Sequence, residues 1–450
     1  MRRTFRSLTW ALLVASGLGT AAAHARSDCG LSAADASQVR AMAAAIVERG
    51  HAPGVVLDIR CDGKPWLALA LGLADAERQR AMRQDDLFRI YSMTKPLTSL
   101  AVLRLAEMGR LSIDDPLSRH LPEFAQTGVH DGSANFPPVR VASERPLTVR
   151  DLLRHSAGIG YISQAPDPVS RVFVQRGIDN GVGTLTVPGD GSAPVATLAE
   201  FSQRIAAIPL RHQPGQRFTY GNATDVLGRL VEVVVGKDFR EALAELVLRP
   251  LAMADTGFEV TAPQLPRLTA AYAAASLAPG SDTLRGGDVT TIPRSRWMRV
   301  DDPQASVFAR RRVDFGGAGL VSTAADYQNF LRFLLQAGEL DGQRIMRRDT
   351  LAAMTVNQLD SRALDASSLV RQGLGFGLGL ATFVEPSRAP GAVPQGGYFW
   401  GGAASTYFWV DPSRRISGVL MTQMFGGDVA PYFVALMDLL HRSDGKPARP

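Results

Sequence analysis

The chain has little lysine, two cysteines and no cluster of histidines. Lysine stands at only four of 450 positions, 64, 95, 237 and 446. Arginine carries the positive charge instead, and 49 basic against 43 acidic residues leave a formal net charge of +6. Spread thinly with no dense basic run, that charge argues against a nucleic-acid partner. Beyond residue 25 the histidines are His51, His120, His130, His155, His212 and His441, with no H-E-x-x-H and no nearby cysteine. No metal site is expected from that pattern. G-x-S-x-G, G-x-x-x-x-G-K-[ST] and G-x-G-x-x-G are also absent. Their absence speaks against an α/β-hydrolase nucleophile turn, a P-loop and a dinucleotide site, and no cofactor is expected. Past residue 25 no apolar run is long enough to span a membrane.

What the chain does have is an average share of hydrophobic residues, 46%. A chain of this length is expected to bury about three quarters of its unfolded surface and needs no metal or disulfide staple. Its start looks like an address. Arg2, Arg3 and Arg6 precede an apolar run from Leu8 to Ala23, and Ala23-His24-Ala25 has the spacing of a cleavage site. Residues 1–25 therefore read as a secretory signal, and the protein as exported, periplasmic or secreted. Cys29 and Cys61 remain. In an oxidising compartment they are candidates for one disulfide; otherwise they are two thiols, and spacing does not decide between them.

Helical spacing runs from Ala34 to Arg49, and strands are expected at Val55 to Ile59 and Trp66 to Ala70 around an Asp62-Gly63 turn. Thr94 to Met108, Leu147 to Leu153, Ala223 to Val235, Phe239 to Leu248 and Thr323 to Gly338 read as helices. Strands return at Tyr398 to Trp400, Ser405 to Val410 and Ile416 to Met424, and Pro431 to His441 reads as a last helix. The Gly/Pro-rich stretches 158–197 and 276–318 are expected to be long loops that shape a pocket. The fold class is therefore α/β (α+β): terminal strands forming one antiparallel sheet flanked by helices. Residues 26–110 and 310–450 would build that discontinuous domain, and 111–309 a helix-rich insertion.

Ser92-Met93-Thr94-Lys95 begins a strongly apolar helix. Residues i and i+3 share a helix face, so the hydroxyl and the ammonium can meet. A helix N-terminus also stabilises negative charge, which suits a nucleophile that must form an oxyanion. The four residues by themselves read equally as a helix cap beside a solvated lysine.

Their surroundings distinguish the two readings. LFRIYSMTKPLTSLAVLRLAEMGRLSIDDPLSRHLPEF (87–124), LTVRDLLRHSAGIGY (147–161), PGQRFTYGNATDVLGRLVEVVVGKDFREAL (214–243) and RPLAMADTGF (249–258) come in one order. FGGAGLVSTAADYQNFL (315–331) and GYFWGGAASTYFWVDP (397–412) follow. Together they resemble the serine β-lactamase-like superfamily of class C β-lactamases, D-Ala-D-Ala carboxypeptidases and family VIII carboxylesterases. The third motif, Trp400-Gly401-Gly402, is most similar to the family VIII esterases.

The resemblance implies that Tyr220, in Tyr220-Gly221-Asn222, lies near Ser92 and Lys95 and moves the serine proton. A phenol with a reference pKa of about 10 is a poor base in water, and an adjacent ammonium would favour its ionised form. Asn222 would bond Lys95 or a substrate carbonyl. Trp400, Gly401 and Gly402 would form an edge strand close to substrate, with the Ala403 and Ser92 N–H groups as oxyanion hole. His155 would be structural, and Gly316-Gly317-Ala318-Gly319 a tight turn. Where related β-lactamases carry K-T-G or H-x-G, this chain lacks the cation that would hold a substrate carboxylate. The expectation is an exported serine hydrolase of small carboxylic esters that forms a Ser92 acyl-enzyme. The alternatives are a β-lactamase or D-Ala-D-Ala carboxypeptidase acting on a β-lactam-like substrate, and a non-catalytic penicillin-binding or sensor module. No motif addresses oligomeric state.

Overall fold

The computed structural model describes residues 29–161, 167–178, 195–274, 297–360, 363, 370, 373–391 and 393–441. The expected signal at 1–25 lies outside them, as do parts of both Gly/Pro-rich stretches.

The first helix, Ala33–Glu48, starts where Ser32 accepts from the Asp35 N–H while the Asp35 carboxylate accepts from the Ser32 N–H. That reciprocal cap satisfies two donors that the helix cannot pair internally. The strands Gly54–Cys61 and Lys64–Asp75 follow, joined by Asp62 and Gly63 at φ 48° and 76°. Two central residues with positive φ match the twist of a hairpin.

One antiparallel sheet of eight strands organises the molecule. Its order is Leu374–Phe376, Ala381–Phe383, Tyr398–Gly402, Thr406–Asp411, Ile416–Met421, Gly54–Cys61, Lys64–Asp75, Arg80–Ala81. The two ends of the chain meet where Val56 pairs with Met421 and Leu57 with Leu420. This is the expected mixed α/β architecture. The helices Ala33–Glu48 and Ala430–Leu440 pack together, and Ala324–Leu335 covers the strands at the seam. The strands Thr406–Asp411 and Ile416–Met421 are buried throughout, as strands covered on both faces must be.

Thr94–Glu107 is buried on nearly all sides, wedged between the sheet domain and the helix Ala223–Val235. A helix apolar all round belongs in a core. Ala223–Val235 ends at Gly236, whose φ of 78° is the left-handed cap that glycine adopts most readily.

Several expectations need correction. The stretch 158–197 holds a helix, Pro168–Gln175, and 276–318 holds a strand, Trp297–Asp301. Gly/Pro content hid a short amphipathic run and a strand that pairs with Ala271–Ala274. The segment Ile416 to Met424 is two strands. The first ends at Met421; Met424–Phe425 leaves the main sheet and pairs in parallel with Ala271–Ala274. Phe239 to Leu248 is helical throughout, as expected, but is α-helix only to Leu243 and widens to π-helix over Ala244–Leu248. Tyr398–Gly402 is an interior strand rather than an edge. However, Ala381–Phe383 pairs only with Tyr398 and Phe399, so Trp400 to Gly402 overhang it.

Candidate active site

Ser92 sits in the 3₁₀ turn Tyr91–Met93 that runs into the helix Thr94–Glu107. Tyr91 takes φ 42°, a left-handed conformation uncommon for a side chain with a Cβ. Its ring is buried beside Phe308 and Phe425, with centroids 6.3 and 5.2 Å away. That packing holds the turn, while Ser92 stays partly exposed.

Lys95, the second residue of the helix, is fully buried. An ammonium has three N–H donors, and Lys95 Nζ has three acceptors: Ser92 Oγ at 3.2 Å, the Tyr161 hydroxyl at 2.8 Å and the Gly317 carbonyl at 2.7 Å. Nζ also lies 4.7 Å from the centroid of the Tyr220 ring. A desolvated cation on an aromatic face gains about 2 kcal/mol. Burial works against the charge, but Tyr161, Tyr220 and Asp225 outweigh it and hold Lys95 above the ordinary lysine value. Burial pushes the Tyr161 phenol up, against the pull of Lys95.

Tyr220 sits in a cage of rings, with centroids of His155, Trp400 and Tyr161 at 4.8, 5.3 and 5.5 Å. Gly221 must be glycine, because a Cβ there would lie 2.3 Å from the Gly160 carbonyl carbon and 2.4 Å from the Ile159 oxygen. That close approach brings the 159–161 segment, and so Tyr161, against the Tyr220 turn. His155 is buried, with burial first and Lys95 second holding its pKa well below the usual value. It is therefore a neutral, structural ring at neutral pH.

Asn222 points elsewhere than expected. Its amide nitrogen donates to Asp225 Oδ2 at 3.0 Å, and its buried Oδ1 has no partner among the described residues. Asp225 accepts the Gly317 N–H at 2.7 Å through its other oxygen. Gly317 thus contacts Asp225 through its N–H and Lys95 through its carbonyl. The glycine run at 316–319 does form a turn, with the Gly319 N–H donating to Phe315 O at 2.9 Å. Its larger contribution is the carbonyl given to Lys95.

Trp400 is buried against Tyr220 and Phe376, with centroids at 5.3 and 5.2 Å. Gly402 is a glycine for a reason other than the one expected. A Cβ there would lie 2.3 Å from the Ile90 carbonyl and 2.4 Å from Thr406 Oγ1. The strand end therefore abuts the backbone that leads into Ser92, and protein rather than substrate fills the space. A Cβ on Gly401 would meet the Tyr407 ring at 2.7 Å. Ala403 is exposed in the turn after the strand, closed by Ser405 N–H to Gly402 O at 3.0 Å. Cys29 and Cys61 are joined as a disulfide, with Cα atoms 5.8 Å apart, remote in sequence from all of these residues.

The structure brings Lys95 against both Ser92 Oγ and the ring of Tyr220, with Trp400 against Tyr220. Sequence reasoning missed Tyr161, Asp225 and Gly317. Two signals were present: Tyr161 ends the block 147–161, and Asp225 is an acid in the first turn of an apolar helix. Among the described residues no group of His, Cys, Asp and Glu is placed to hold a metal, and no helix is long and apolar enough to cross a membrane.

The chain is similar to known proteins over most of its length. The Beta-lactamase family model matches residues 39–437. Esterase EstB of Burkholderia gladioli is 31% identical over 392 residues, 86% of this chain and 90% of its own. Among solved structures, EstCE1, described as a hydrolase with promiscuous acyltransferase activity, superposes with a TM-score of 0.72 at 29% identity. It covers 91% of this chain and all 100% of its own. Simvastatin synthase LovD from Aspergillus terreus shares the fold at a TM-score of 0.70 and 22% identity, over 92% of this chain and 97% of its own. With a family model spanning residues 39–437 and an esterase relative at 31% identity over 86% of it, the chain belongs to the β-lactamase family and is a serine hydrolase.

Proposed function

We propose that the protein hydrolyses small carboxylic esters through an acyl-enzyme on Ser92. The observation that carries this is the saturated Lys95 ammonium, which spends one of its three donors on Ser92 Oγ at 3.2 Å. A lysine held charged is a poor base, so in this reading the serine proton goes to a tyrosine oxygen that enters the step as phenolate, its charge balanced by the Lys95 ammonium. In this reading Ser92 Oγ bonds to the ester carbonyl carbon while its proton passes to Tyr220. The carbonyl electrons move to an oxyanion facing the Ser92 and Ala403 N–H groups. The C–O bond to the alcohol then breaks, and Tyr220 returns the proton to the leaving oxygen. Water repeats the sequence and releases the acid.

Preference for neutral esters over β-lactams rests on Trp400. It fills with an aromatic ring the place where related β-lactamases carry a cation. The similarity to esterase EstB and to EstCE1 supports the same substrate class. Export belongs to this proposal too, supported by the arginine-led apolar start and by the Cys29–Cys61 disulfide. N-terminal sequencing of the mature protein from a periplasmic fraction tests it.

The direct hydrogen bond to Lys95 favours one second reading, in which Tyr161 rather than Tyr220 carries the proton. The function itself is tested with p-nitrophenyl acetate and nitrocefin, using wild type and Ser92→Ala. Ester turnover should exceed nitrocefin turnover, and Ser92→Ala should lose both turnover and fluorophosphonate labelling. Undiminished turnover in that variant refutes the assignment.

A further inference from the structure

We propose that Asp225 is the positioning residue for Lys95: acting through the backbone of Gly317, its buried carboxylate fixes the ammonium beside Ser92 and keeps it charged during turnover. This rests on the reading of Ser92 and Lys95 given above.

The geometry is a short relay. Asp225 Oδ1 accepts the Gly317 N–H at 2.7 Å, and the Gly317 carbonyl accepts from Lys95 Nζ at 2.7 Å. Asp225 Oδ2 is held by Asn222 Nδ2 at 3.0 Å. Asp225, Asn222 and Lys95 are all buried. An acid in the first turn of a helix often serves only the helix dipole. Here the carboxylate oxygens turn to Gly317 and Asn222 on either side. Gly317 leaves no slack, since a Cβ on it would lie 2.8 and 2.9 Å from the two carboxylate oxygens.

The charges around the pair are few. Lys95 is the cation that faces Asp225. Tyr161 and Tyr220 face Lys95, and His155, packed against Tyr220, is a neutral ring. A carboxylate withdrawn from water needs a compensating charge or hydrogen bonds, and the Lys95–Gly317–Asn222 set supplies both. Burial pushes Asp225 above the usual carboxylate range, while Lys95, Asn222 and Gly317 pull it back. The same device explains Asn222: it holds the acid rather than Lys95.

The test is the pH profile of kcat/KM for p-nitrophenyl acetate in wild type, Asp225→Asn, Asp225→Glu and Gly317→Ala, with thermal unfolding of each. Removing the negative charge makes Lys95 lose its proton more easily. The alkaline limb of Asp225→Asn should therefore move to lower pH. Its kcat/KM at neutral pH, where Lys95 stays charged, should fall about tenfold or more through lost positioning, since misplacing a group by about 1 Å can cost about 10²-fold. Asp225→Glu, which restores the charge, should return the limb toward wild type. A folded Asp225→Asn with wild-type limb and rate overturns the proposal. If Asp225→Asn does not fold, Gly317→Ala decides, because its methyl displaces the carboxylate without removing a charge. A downward limb shift supports the relay, and an unchanged profile overturns it. Turnover by Ser92→Ala would instead overturn the underlying function, so the two failures are separable.

Discussion

Lys95 donates to the hydroxyl of Tyr161 at 2.8 Å while its ammonium rests 4.7 Å from the ring centroid of Tyr220. Two tyrosines thus bound one cation in different ways, through a lone pair and through a π face. Tyr220→Phe keeps the face and removes the hydroxyl; Tyr161→Phe removes the acceptor. If Tyr220 carries the proton, Tyr220→Phe should lower kcat by about 10²–10⁴-fold, and Tyr161→Phe should cost less. Steady-state kinetics on a short ester decides, and the reverse ranking assigns the proton to Tyr161.

A second expectation concerns acid stability. Asp151 is buried, and despite the cost of burial its bonds to Arg145, Thr148 and Arg154 pull its pKa down to about 2. It also accepts from Ser156 Oγ at 3.2 Å, so it anchors the loop that carries His155 and leads to Tyr161. A depressed carboxylate stabilises the fold above its unfolded pKa of about 3.9. That contribution is lost as pH falls through the folded value. Unfolding of the wild type should therefore become easier below about pH 4. Asp151→Ala should cost about 1–3 kcal/mol at neutral pH, because it removes charge-assisted hydrogen bonds to two partly exposed arginines whose charges water can still solvate. It should also flatten the acid dependence, as read by denaturant titration at several pH values.

Gly402→Ala tests the abutment against Ile90. The added methyl would sit 2.3 Å from the Ile90 carbonyl. Overpacking of this kind typically costs about 1–3 kcal/mol. Since the displaced backbone leads to Ser92, kcat should fall along with Tm. A variant that unfolds earlier yet turns over normally would show that the two segments are not coupled.

The disulfide closes a loop with a sequence separation of 32 residues. Chain-entropy arguments give about 3–4 kcal/mol for a loop of that size. Replacing both Cys29 and Cys61 by serine should lower the unfolding free energy by that amount in guanidinium titrations and leave ester kinetics unchanged. A double variant as stable as wild type would show that the bridge is not formed in the purified protein.

Local chemistry made much of the fold legible. Helix Ala223–Val235 was bounded by its apolar spacing and Gly236, and the hairpin by Asp62-Gly63. Ser92 and Lys95 were legible because one helical turn joins them. The relay from Lys95 to Gly317 was not, because it spans 222 positions and ends on a backbone carbonyl. No residue type advertises a carbonyl. Tyr161 was hidden for a related reason: only the tight approach of Gly160 to Gly221 shows that its hydroxyl reaches the lysine. The strand Trp297–Asp301 was missed because it lies inside the Gly/Pro-rich stretch 276–318, which read as loop.

Trp400 is wedged between the rings of Tyr220 and Phe376. A lysine at that position would strip an aromatic wall from Tyr220 and bring a new charge near an ammonium whose three donors are already engaged. Changing Trp400 by itself therefore also changes the surroundings of Tyr220, so the two positions are coupled through their rings.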